Sequence, residues 1–190
     1  MRVVVRQGYS AATMHQIAQE ARASKETLYA WFGDRESLMA VLIRANADES
    51  VMVLADATSR PIRDAADACE TLESYARSLL ALLTGEVSIT LNRAAMSSPA
   101  LAAHLLASGW NRAGSAAVEY LTALYEAGHS PHADAAQAFS LFYGLVVQDT
   151  HIRVLLGEPA PSAQDIRQRA WCATRVFLGV EADSAGSEAG

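Results

Sequence analysis

Residues 8–38 read GYSAATMHQIAQEARASKETLYAWFGDRESL, and no other part of the chain restricts the fold as tightly. Thr13 stands ahead of a short helical stretch over 14–21, and Ser24 ahead of a second over 25–32. Each supplies a side-chain oxygen that can satisfy first-turn amides. Gly33-Asp34 ends the second stretch, and Gly8 closes an earlier one running from the start to Gln7. Ile17, Ala18 and Ala21 on one helix and Leu28 and Phe32 on the next form an apolar wedge that requires the two to cross steeply. Such a pair either seats its second helix in the major groove of double-stranded DNA, where base edges carry a distinct donor and acceptor pattern, or forms a structural corner of a helical bundle. Spacing alone leaves both open.

The rest of the chain is also helical in pattern, and an all-α fold is expected. β-Branched residues never alternate over a useful length, while Ala, Leu, Glu, Gln and Arg dominate. A long fourth helix follows over 35–58. Pro61 opens a fifth, to Leu83, with an apolar stripe of Ala65, Cys69, Leu72, Ala76, Leu79 and Leu83. Further helices are expected over 87–96, up to about 127 after a short piece at 99–107, over 131–156, and from the Ser162 cap to Leu178, about nine in all. The expected organisation is a three-helix head at 1–45, a helical body at 46–180 and a flexible tail at 181–190.

Charge follows the same division. Of the net −6, residues 1–45 carry +2 and the remainder −8, which allows nucleic-acid binding at one end only. No stretch resembles a signal peptide, and no run approaches the roughly 18 apolar residues of a membrane span, so a cytoplasmic protein with no membrane partner is expected. Cys69 and Cys172, far apart within apolar helical patterns, are expected as buried reduced thiols.

The 8–38 segment resembles the N-terminal domain of the TetR family of transcriptional regulators. The resemblance rests on Gly8-Tyr9, Thr13, Ile17-Ala18, Ala21, Ser24, Thr27-Leu28-Tyr29, Phe32, Arg35-Glu36 and Leu38. A looser resemblance, to the AefR-like C-terminal domain of the same family, covers 93–178 through Ser98-Pro99-Ala100-Leu101-Ala102 and Ile152-Arg153-Val154-Leu155-Leu156-Gly157. It implies a ligand-responsive DNA-binding regulator, usually a repressor, that is released from a palindromic operator by a small molecule.

By matching position, the resemblance implies that Thr13 and His15, and Ser24, Lys25, Glu26, Thr27, Tyr29 and Trp31, make the DNA face, with Arg35 touching a phosphate. Hydroxyls, a phenol and cations suit phosphate contacts, and Lys25 could also reach a guanine edge. Trp31 has an equal reading as a packing residue, and His15 as idle surface. Three departures from the family pattern stand out. Arg22 occupies a turn position where the family has glycine, so a left-handed backbone there would be strained. Glu26 replaces a small residue, and either accepts from a cytosine amine or repels phosphate. The first helix is short, leaving Val3, Val4 and Val5 to hold the wedge if the chain starts at Met1. A TetR-like fold that binds a small molecule but has weakened or lost DNA binding is therefore the alternative.

In the body, a mostly apolar set with a few polar tips is the candidate effector site: Tyr75, Asn92, Arg93, Met96, His104, Trp110, Tyr120, Phe139 and Tyr143. Arg93 either binds an anionic ligand or pairs with Glu86 or Glu119. The spacing of Phe142, Leu145, Asp149, Ile152 and Leu156, and of Ile166, Ala170, Ala173 and Phe177, suits either intramolecular core or a homodimer interface formed by the last two helices. The resemblance favours the dimer, because a palindromic operator needs two heads at fixed separation. Effector binding would then shift helix six and the lower end of helix four, changing the spacing of the two recognition helices.

No cofactor and no metal are expected. His129-Ser130-Pro131-His132, with Asp134 beyond, is a weak ligand set for zinc. No nucleophile elbow, phosphate loop, dinucleotide fingerprint or HExxH pair occurs, so an enzyme is not expected.

Overall fold

The computed structural model describes residues 2–58, 61–107 and 112–180. They form eleven helices and no strand: α1 (Arg2–Gln7), α2 (Met14–Glu20), α3 (Lys25–Phe32), α4 (Arg35–Thr58), α5 (Ala65–Thr84), α6 (Glu86–Met96), α7 (Pro99–Leu105), α8 (Arg112–Glu126), α9 (Ala135–Val147), α10 (Thr150–Leu155) and α11 (Ala163–Leu178). The expected tail at 181–190 and Trp110 lie outside the described residues. Among the described residues no helix is long and apolar enough to cross a membrane.

Two departures account for the difference from nine helices. The piece after Ser98 is a helix of its own, with Pro99 in its first turn and the Ser98 hydroxyl accepting from the Leu101 amide at 3.3 Å. The stretch read as one helix over 131–156 starts later, at the Asp134 cap, and breaks at Gln148, whose φ of 46° and ψ of −130° are not helical. Spacing does not register that break, because the residues beyond it continue the count while the helix has turned. Val154 is accordingly the buried residue of α10, whereas Ile152 and Leu156 are exposed, Leu156 by 81%.

The apolar side chains gather into two cores. The body core joins Leu54 and Ala57 of α4 to α5, α8, α9 and α11. The head core joins Val3, Val4, Met14, Ile17, Ala18, Leu28, Met39 and Ile43 to Leu91, Ala94 and Ala95 of α6 and Leu101 of α7. Helix α4 thus belongs to both. Eleven residues separate Ile43 from Leu54, about 16 Å along a helix axis. Cys69 and Cys172 are unpaired and half-buried rather than enclosed.

Candidate functional site

The helix pair of the head is set by its caps. The Thr13 hydroxyl accepts from the Gln16 amide at 3.3 Å, while the Gln16 side-chain oxygen accepts from the Thr13 amide at 2.9 Å and its hydroxyl at 3.0 Å. This is a reciprocal capping box. The Ser24 hydroxyl accepts from the Thr27 amide at 3.0 Å and lies 2.9 Å from the Thr27 hydroxyl. Short helices whose first turns are satisfied in this way need little from solvent, so one face of α3 is left free. Leu28 points into the core, while Lys25, Glu26, Tyr29 (43% exposed) and Trp31 (71% exposed) stand outside it. The Lys25 ammonium lies 5.6 Å over the Tyr29 ring, and the Trp31 ring meets the half-buried Phe32 edge-on at 6.3 Å. His15 is exposed on α2.

Two residues of the expected DNA face have other work. Arg35 is half-buried: its Nη1 donates to the carbonyls of Tyr9, Ser10 and Ala12 at 3.0, 3.4 and 2.9 Å, and its guanidinium carbon lies 4.2 Å over the Tyr9 ring. Through Nη1 it clamps the segment leading into α2. Glu26 carries a carboxyl held below its ordinary range, chiefly by a backbone amide at its own position and then by the Ser24 hydroxyl. It is an ionised first-turn residue of α3, suited to the positive end of that helix and repulsive to phosphate.

The turn between α2 and α3 carries the strain expected of it. Arg22 has φ of 54°, a left-handed backbone on a residue with a side chain. At the same end of α2, its last residue, Glu20, pairs with Arg6 at 3.0 Å and Arg2 at 3.5 Å, so charge fastens the short α1 alongside the packing of Val3 and Val4. That fastening is silent in the sequence because its partners lie 14 or more residues apart with no spacing rule to connect them.

In the body, the structure separates the expected effector residues. Tyr75 and Tyr120 line a narrow void together with Leu54, Leu72, Ala117, Leu121 and Phe142. Nowhere is it wide enough for a water molecule. Phe139 and Tyr143 belong to the same core. Asn92, Arg93, Met96 and His104 do not, because they sit on α6 and α7 against or outside the head core. Met96 is 67% exposed, His104 is exposed, and the Asn92 amide donates to the Ser88 carbonyl one turn back at 2.9 Å. Arg93 pairs with neither Glu86 nor Glu119. Its Nε and Nη2 donate to the Leu155 carbonyl at 3.1 and 3.0 Å, and Nη2 to that of Val154 at 3.2 Å, which caps the C-terminal end of α10.

Tyr75 is the unusual member of the void. The residue is 1% exposed, its ring stacks on Phe142 at 6.3 Å, and its hydroxyl has no hydrogen-bond partner among the described residues. Burial, and then the nearby Tyr143 phenol, push its pKa up, so it stays protonated. An unpaired buried hydroxyl costs about 1–3 kcal/mol. The aliphatic lining residues Leu54, Leu72, Ala117 and Leu121 are not legible in the sequence, since nothing in their type separates a void wall from ordinary core.

Four of the residues expected at a dimer interface are inside the protomer. Phe142, Ala170, Ala173 and Phe177 belong to the body core, with Phe142 and Phe177 rings in edge contact at 5.0 Å. Leu145 and Ile166 are half-buried, and Asp149, Ile152 and Leu156 are exposed, Asp149 lying 3.5 Å from Arg153. A regular apolar stripe marks the face a helix buries first, which here is its own core. Besides Ile152 and Leu156, the exposed large apolar side chains of this region include Leu141 of α9 and Trp171 and Val176 of α11. Among the histidines, His132 places Nε2 2.9 Å from the Phe177 carbonyl and its ring against the Phe177 ring.

Comparison with known proteins resolves which kind of helix pair this is. Residues 1–42 match the family of bacterial regulatory proteins, tetR family, and residues 70–180 match the AefR-like transcriptional repressor C-terminal domain. The chain belongs to the TetR family. Family members are DNA-binding transcriptional regulators that typically act as dimers. A TetR transcriptional regulator from Agrobacterium tumefaciens is 35% identical, with 94% of this chain and 88% of that one covered and a TM-score of 0.74. A flavonoid-responsive regulator, FrrA, is 26% identical over 94% and 90% of the two chains, with a TM-score of 0.66. A TetR-family protein from Mesorhizobium loti MAFF303099, 21% identical over 94% and 91% with a TM-score of 0.79, speaks for the fold alone. Among curated proteins the chain has no match.

Proposed function

We propose that this TetR-family protein is a homodimeric repressor, released from a palindromic operator when a small molecule opens its body core. The observation that carries this reading is the course of α4. Met39 and Ile43 are packed in the head core, and Leu54 of the same helix forms a wall of the Tyr75 void. A molecule that widens the void displaces Leu54, and a continuous helix passes that displacement to the head. It weakens DNA binding only insofar as it binds the displaced arrangement better.

In this reading the DNA face is Thr13, His15, Ser24, Lys25, Thr27, Tyr29 and Trp31. Lys25 and Tyr29 carry the phosphate and base contacts, while Ser24 and Thr27 hold the first turn of α3. The dimer forms through the outer faces of α9 and α11, with Leu141 and Val176 at its centre and the half-buried Leu145 and Ile166 on the same two helices, and the protein works in the cytoplasm. That FrrA responds to a flavonoid supports a small organic effector for a protein of this shape. Retained fold with weakened DNA binding is the second reading, favoured by the ionised Glu26 and by Arg35 being spent on carbonyls.

Fluorescence anisotropy against DNA from upstream of the protein's own gene, at two salt concentrations, decides between them. Sequence-selective binding that weakens steeply with salt, and is lost in a Lys25→Ala, Tyr29→Phe double variant that remains dimeric, is expected. Weak binding that is equal on scrambled DNA would establish the second reading.

A further inference from the structure

Resting on the dimeric reading above, we propose that Arg93 is a positioning residue for DNA reading: it ties α10 to α6 and so sets how far apart the two heads of the dimer stand. Helix α6 forms the floor of the head through Leu91, Ala94 and Ala95. Toward the turn that leads into α2 the floor is incomplete. A cleft of about 420 Å³ lies between Thr90, Arg93, Ala94 and Ser97 of α6 and the head's Val5 and residues 7–11. Packing alone therefore leaves room for α6 to shift against that turn. From the same helix the Arg93 guanidinium reaches α10, 61–62 residues along the chain. Nε and Nη2 fork on the Leu155 carbonyl at 3.1 and 3.0 Å, and Nη2 lies 3.2 Å from that of Val154. A planar fork on a carbonyl fixes orientation as well as distance. Helix α10 has little else to place it. It is six residues long with Val154 as its buried residue, and it follows the break at Gln148, so the direction of α9 does not carry through. It packs against α5 and α6. In the dimeric reading α9 carries the interface residue Leu141, and a line of contacts then runs from the two-fold axis through α9, α10, Arg93 and α6 to the head, beside the one through α4.

The test sets the full-length protein against the palindromic operator upstream of its gene, and against duplexes with one base pair added or removed between the half-sites, a displacement of about 3.4 Å. Wild type is expected to prefer the native spacing at least a hundredfold. Arg93→Gln should bind the native spacing at least tenfold more weakly and discriminate among the three duplexes by less than tenfold. It should bind a single half-site within about twofold of wild type, with the salt slope intact. Arg93→Lys keeps the charge and loses the fork, and should resemble Arg93→Gln rather than wild type. A salt slope reduced by about one, or full rescue by lysine, would make Arg93 a cation for DNA and overturn the proposal. Wild-type spacing selectivity in Arg93→Gln overturns it as well. Amide exchange in the free protein separates the tie from the dimeric reading. In Arg93→Gln, exchange over 91–95 and 150–155 should quicken at least fivefold while that of α11 stays as in wild type. Exchange that responds in this way, with no spacing preference in wild type, keeps the tie and removes both the paired heads and the spacing role. Exchange left unchanged by Arg93→Gln removes the tie and leaves the dimeric reading standing.

Discussion

Arg22 and Arg35 show how differently two arginines of one small head are used. Arg22 holds a left-handed turn that a glycine would occupy freely. Replacing it relieves the strain and adds some freedom to the unfolded chain, so Arg22→Gly is expected to stabilise the protein by about 0.5–1 kcal/mol in chemical denaturation. Arg35 ties three carbonyls, and Arg35→Gln is expected to lower stability by about 2 kcal/mol. Its DNA effect distinguishes a clamp from a phosphate ligand. Removing a clamp weakens operator binding and leaves the salt slope intact, whereas removing a cation bound to phosphate would reduce that slope by about one.

Helices whose ends are decided locally can be read from the chain, and α11 is the clearest. Ser162 and Asp165 form a capping box in which the Ser162 hydroxyl, and then its amide, hold the Asp165 carboxyl below its usual range. A carboxyl depressed in the folded state adds stability above the ordinary aspartate value near pH 4, and that stability is lost as pH falls through the lower folded value. Ser162→Ala is therefore expected to lower the melting temperature at pH 7 and to flatten the acid limb below about pH 4, as followed by circular dichroism. The caps at Thr13 and Ser24 are legible for the same reason, since donor and acceptor lie three residues apart. The roles of Arg35 and Arg93 are not. Their acceptors are backbone carbonyls 23–26 and 61–62 residues away, and carbonyls leave no mark on a sequence. The same blindness hides the break at Gln148 and the wall of the void, where Tyr75 and Tyr120 can be named but not their aliphatic neighbours.

The two sets of apolar side chains on the last helices differ in what they face. Phe142 is buried at the junction of Tyr75 and Phe177, and Phe142→Ala is expected to cost about 3–5 kcal/mol and to unfold the protein at a lower denaturant midpoint. Leu141 and Val176 face outward. A Leu141→Glu, Val176→Glu double variant should keep its helicity and melt close to wild type while sedimenting as a monomer, with affinity for a palindromic operator reduced at least a hundredfold. A dimer that survives this variant would locate the interface elsewhere.

The head core borrows Leu91, Ala94 and Ala95 from α6 and Leu101 from α7, half a chain away from the helices that read DNA. The head is therefore no portable cartridge. Cut out as residues 1–45, it would expose the apolar floor on which Val4, Ile17 and Met39 rest, and it should show little helix by circular dichroism. Grafted onto another regulator's body, it would carry its sequence preference only if that body offered the same small side chains at the same places. Exchange of this head for another is limited by the shape of α6, a helix that lies outside the α2–α3 pair.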